Sequence, residues 1–136
     1  MNKKRWLLAS VVIFVVVMVL EYVFANFCMK NAYLATAYLW RPESDIMKLM
    51  PYAWAAYLVM SFLFVYIYSK GYEGKPSKIM EGMRFGLIVG FFTVIPMVVM
   101  CYVTMPITVR LSLDWFATGM AEFIIIGAVA GLIYKR

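Results

Sequence analysis

The sequence predicts an all-α fold, an integral membrane four-helix bundle with both termini cytoplasmic. Three observations lead there. Hydrophobic residues make up 65% of the chain and charged residues only 15%, against about 45–50% and about 25% in soluble domains. Four stretches are apolar over close to the roughly 20 residues a helix needs to cross the hydrocarbon core. The basic residues gather in alternate connections between those stretches. A soluble chain of 136 residues has too much surface for its volume to hide so much apolar area. One membrane domain, residues 1–136, is therefore expected.

The first span is expected at about 6–28, with the run Val11–Leu20 at its heart. Its basic start (Lys3, Lys4, Arg5) and the small Ala25 resemble a leader sequence, but its apolar part is longer than the 7–15 residues typical of one. It is read as a signal anchor. The second span is expected at about 52–68, the third at 85–105 and the fourth at 115–134. Transmembrane strands would alternate in character over about ten residues. No stretch does, and a lone open strand in lipid leaves its backbone unsatisfied.

The extracytoplasmic loop 30–51 is long for a connection between helices. It contains Tyr33, Tyr38 and Trp40, and neither Pro nor Gly interrupts Trp6–Arg41. It is expected to be partly helical or to lie in the interface. Pro42 ends that helix, because the residue before a proline disfavours helical geometry. Ser44 or Asp45 is the expected cap of the next helix, with Pro51 in its early turns. The second loop carries Gly71, Gly74 and Pro76, which are turn residues.

Nine of the thirteen Lys and Arg residues fall at the two termini and in the second loop: Lys3, Lys4, Arg5, Lys70, Lys75, Lys78, Arg84, Lys135 and Arg136. Lys30, Arg41, Lys48 and Arg110 fall on the other side. The positive-inside rule then places the termini in the cytoplasm of an inner (plasma) membrane protein. Trp and Tyr near the predicted span ends agree, since amphipathic rings prefer the headgroup level.

Gly82, Gly86 and Gly90 recur every four residues, as do Gly127 and Gly131. Glycines at that spacing share a helix face and let another backbone approach. They predict a close crossing of the third and fourth spans, with a homodimer face as the alternative. Pro96 removes a backbone hydrogen bond inside the third span and predicts a kink, with Thr93 placed to serve a freed carbonyl.

Two acids stand inside apolar runs, Glu21 late in the first span and Glu122 early in the fourth. A carboxylate there costs about 2.5–3.5 kcal/mol on insertion scales, so each is protonated, paired or wet. Counting along the helices puts both in the outer half, at matching depth. With Tyr57, Ser61 and Thr118 they form the candidate intramembrane polar site. The competing reading is structural, with each acid satisfied by a hydroxyl, a backbone carbonyl or the headgroups.

Cys28 and Cys101 suit a disulfide or two free thiols. With no His and no Cys-x-x-Cys, no metal site and no cofactor are expected. Twelve Met residues give a weak basis for copper chemistry and serve equally as core filler. No phosphate loop or nucleophile elbow occurs, and the basic residues form no stripe. Neither an enzyme nor a nucleic-acid partner is expected. The stretch Glu81-Gly82-Met83-Arg84-Phe85-Gly86, with Pro96, Tyr102, Pro106, Trp115-Phe116, Glu122 and Gly127, resembles a family of small bacterial inner-membrane proteins of similar length, and Leu39-Trp40-Arg41-Pro42-Glu43 extends the likeness. The resemblance implies a membrane location and no activity. The leading expectation is an accessory or assembly subunit whose partners are the bilayer and either a larger membrane complex or a second copy. The rival is a small, oligomeric proton- or cation-coupled transporter using Glu21 and Glu122.

Overall fold

The computed structural model describes residues 2–74 and 76–135. Met1, Lys75 and Arg136 lie outside the described residues, so two of the basic residues counted above, Lys75 and Arg136, have no described position. The chain folds into α1 (Lys3–Val23), which runs into a π-helical turn (Phe24–Cys28), a short α2 (Lys30–Ala35), a 3₁₀ turn (Ala37–Leu39), α3 (Glu43–Lys70), α4 (Lys78–Thr104) and α5 (Val109–Ile133). No strand occurs among the described residues.

Four helices are long and apolar enough to cross a membrane: Lys3–Cys28, Glu43–Lys70, Lys78–Thr104 and Val109–Ile133. Their outward faces carry Val15, Phe27, Val59, Phe92 and Val103, each more than half exposed. An aqueous solvent would penalise such a surface, whereas a multi-pass membrane setting accounts for it.

Each helix extends beyond the apolar stretch that marks it in the sequence. Hydropathy registers only the part that needs oil, whereas helix ends follow capping. The Asn2 side chain accepts from the Arg5 N–H (3.2 Å) and Thr108 Oγ1 from the Leu111 N–H (3.1 Å), starting α1 and α5. Residues 109–114, expected as loop, are thus helical, with Arg110 and Asp114 paired one turn apart at 3.2 Å. Ser44 and Asp45 do not cap α3. The carbonyl of Pro42 takes the Asp45 and Ile46 N–H groups, and both candidates sit within the first turn. Pro51 and Pro96 lie inside continuous helices. The Thr93 hydroxyl donates to the Val89 carbonyl at 2.8 Å, not to the Phe92 carbonyl that Pro96 leaves without a donor.

The loop expected over 69–84 shrinks to the turn between Lys70 and Lys78. Gly74 there has a φ of 71°, a conformation other residues resist, and the Glu81 carboxylate accepts the Glu73 N–H at 2.7 Å.

The helices form a chain of neighbours, α3 on α1, α1 on α5 and α5 on α4. The tightest contact is the last. A Cβ on Gly82 would strike the Gly127 carbonyl, one on Gly86 the Phe123 carbonyl, and one on Gly131 the Lys78 carbonyl. The glycine ridges therefore face each other within one chain. A core of Ala9, Ile13, Val17, Phe64, Val65 and Ile126 joins α1, α3 and α5. Arg5 Nη1 reaches the Ile133 carbonyl at 3.3 Å, so the two termini share one end. Tyr68 and Tyr134 at that end are buried rather than presented as an aromatic belt, and they stack edge-on with each other and with Tyr72. Cys28 and Cys101 are both free thiols; Cys28 is exposed rather than buried.

Candidate functional site

The helix order leaves one pair unclosed. The axes of α3 and α4 hardly approach each other. They are bridged toward the termini end by rings, with Phe85 at 5.0 Å from Phe64 and 5.3 Å from Tyr68. Between them runs a crevice of about 810 Å³, lined by Ala55, Ala56, Val59, Leu63 and Ile67 of α3 and by Phe85, Val89, Thr93 and Met97 of α4, with Phe123 of α5 behind. Its rim residues Val59, Leu63 and Ile67 are more than half exposed, so the crevice opens sideways, through the flank of the molecule.

Glu21 and Glu122 sit at its head. The helices carrying them, α1 and α5, pack on each other and bring the two carboxyl groups within hydrogen-bonding reach. The Tyr57 hydroxyl of α3 hydrogen-bonds Glu21. Glu122 is 6% exposed. Among the described residues no Lys or Arg lines the crevice or the space beyond it.

That space is a second cavity of about 250 Å³, sharing Glu21, Tyr57, Met97, Gly119 and Glu122 with the first and adding Met29, Tyr33, Cys101, Trp115 and Thr118. Its roof is the segment after α1. The π turn, in which the Met29 N–H reaches back five residues to the Phe24 carbonyl (2.8 Å), ends α1 just beyond Glu21. Turns of this kind recur at functional sites. The chain then bends at Met29, which is buried. Tyr33 on α2 accepts from Trp115 Nε1 at 3.0 Å, and Trp40 packs against both rings. Thr36, also buried, accepts the Trp40 indole N–H at 3.2 Å and donates to the Ala32 carbonyl at 2.8 Å. Burial holds the Tyr33 hydroxyl above the usual phenol range. The Trp115 hydrogen bond opposes that shift, and the negative charge of Glu21 adds to it.

Of the five candidate residues, four meet here: Glu21, Glu122, Tyr57 and Thr118. The Thr118 hydroxyl donates to the Asp114 carbonyl at 2.7 Å and stands 3.8 Å from Met29 Sδ at the cavity wall. Ser61 does not join them. It is fully buried, and its hydroxyl donates to the Tyr57 carbonyl at 2.8 Å. Tyr33, expected in a partly helical or interfacial loop, and Trp115, expected as an aromatic near a span end, line this space as well. The sequence signal for this was the aromatic content of the loop that holds Tyr33, with neither Pro nor Gly before Arg41. Among the described residues no group of three or more Cys, Asp or Glu side chains is placed to hold a metal ion.

Comparison with protein families, curated proteins and solved structures returns no match for the chain.

Proposed function

We propose that the four long helices form a membrane-embedded four-helix bundle with both termini cytoplasmic, and that it is a small proton- or cation-coupled transporter working through Glu21 and Glu122. The supporting observation is the meeting of these carboxyls beside the Tyr57 hydroxyl, with no basic residue among the described ones lining the site. Two carboxylates in contact at low dielectric repel strongly, so such a pair holds either a proton or a cation between them. A purely structural role asks for no such arrangement. One acid satisfied by one hydroxyl would suffice, and a buried like-charge pair is a standing cost unless it is used.

The orientation rests on charge. Lys3, Lys4, Arg5, Lys70, Lys78, Arg84 and Lys135 belong to the end that holds the termini, and Lys30, Arg41, Lys48 and Arg110 to the other. The glycine ridges are engaged between α4 and α5, so self-association of copies would use another face.

The test is ion flux in proteoliposomes. Wild-type protein is expected to move protons or monovalent cations down an imposed gradient. Glu21→Gln and Glu122→Gln are expected to stop it while the helical circular-dichroism spectrum persists. Absence of flux from correctly folded wild type, together with copurification in a larger native-membrane complex that both variants still join, would replace this reading by that of an assembly subunit.

A further inference from the structure

We propose that the crevice between α3 and α4 admits an amphiphile from the bilayer, a single aliphatic chain ending in a protonated amine. Its chain lies along the crevice and its ammonium group rests on the Glu21–Glu122 pair. This names the cargo and rests on the reading of the pair as a cation-holding site.

Size is the first argument. A bare proton or metal ion needs only a few oxygens, whereas about 810 Å³ of lined space falls in the roughly 300–1,000 Å³ range of small-molecule sites. Shape and lining are the second. Apart from Thr93, whose hydroxyl donates to the Val89 carbonyl, the walls are aliphatic and aromatic along their length, and the carboxyl groups and the Tyr57 hydroxyl gather at one end. That is the negative of an amphiphile with one head and one tail. Charge is the third. Glu122 is 6% exposed and lines both cavities, and the Glu21 carboxyl meets it there. A neutral head leaves any charge on the pair uncompensated, and an anionic head is repelled. An ammonium group answers the charge and donates up to three hydrogen bonds. The rings of Tyr33, Tyr57 and Trp115 around the smaller cavity suit a cation as well.

Access is the fourth argument. The roof over the smaller cavity is pinned by the Trp115–Tyr33 hydrogen bond and the Trp40 rings. The termini end of the crevice is bridged by Phe64, Tyr68 and Phe85. The flank between α3 and α4 is left open, and it faces what four apolar helices would place in lipid.

Equilibrium binding of labelled dodecylamine and labelled dodecanol to the full chain in phosphatidylcholine nanodiscs tests this, with empty discs subtracted. Saturable amine binding, tighter than that of the alcohol by about tenfold or more, is expected from charge-assisted hydrogen bonds to the pair. Glu122→Gln is expected to remove most of that preference. Ala56→Trp, which fills the crevice from an exposed position without touching the core, is expected to weaken amine binding by a similar factor with an unchanged thermal midpoint. Equal uptake of amine and alcohol, or wild-type amine binding by Ala56→Trp, overturns the proposal. If Glu-dependent cation flux survives that result, the transporter reading stands and only the cargo is wrong. Absence of both flux and amine preference brings down the two together.

Discussion

Glu21 and Glu122 stand out because a carboxyl in an apolar run has to be answered by something. Their presence was legible in the sequence, and so was their matching depth, from helical rise alone. Their contact was not, because depth says nothing about which way a helix is turned. Ser61 shows the limit. It lies one turn from Tyr57 on the same helix, yet it is fully buried away from both cavities and spends its hydroxyl on its own backbone. Ser61→Ala is therefore expected to leave flux and amine binding unchanged and to shift stability by no more than about 1 kcal/mol, in contrast to the loss expected of Glu122→Gln. Trp115→Phe removes the hydrogen bond that favours the Tyr33 phenolate. The Tyr33 hydroxyl, already held high by burial, is expected to titrate higher still in that variant, as read by ultraviolet difference spectra of variant and wild type against pH.

Among elements, α4 and α5 were the most readable pair, because glycines spaced by four on both helices call for a close backbone approach, here met by each other rather than by a second copy. The expected cost of disturbing the seam is large. Gly86→Val puts side-chain atoms where the Phe123 carbonyl stands, and overpacking of this kind costs about 1–3 kcal/mol or more. Gly71→Ala, at a residue with nothing within 4 Å of its added carbon, is expected to change stability by less than about 0.5 kcal/mol. Thermal unfolding of the two variants in one detergent makes the comparison. The π turn was not anticipated, and the partly helical character expected of the 30–51 loop gave no bounds for α2, because neither element has a periodic signature. The π turn at Phe24–Cys28 and the short α2 contain neither Pro nor Gly, and their geometry follows from the burial of Met29 and the Tyr33–Trp115 contact. Those causes lie in tertiary structure, beyond the reach of local pattern.

At the scale of the molecule, four apolar helices were legible from composition, and their ends were not. The open flank was not legible either, because it is a missing contact between α3 and α4, and sequence patterns report contacts that exist. The proposed orientation has its own test. Cys28 is exposed at the end opposite the termini, so a membrane-impermeant maleimide is expected to label it in spheroplasts and to leave it unlabelled in sealed inside-out vesicles. The reverse pattern would invert the topology. The sideways mouth carries a quantitative corollary. A guest that arrives through the leaflet is drawn from a reservoir already enriched by its own oil–water partition coefficient. Apparent affinity measured against the aqueous phase is then the product of partitioning and docking. Lengthening the guest's tail should sharpen it through the first factor, even where the second stays constant.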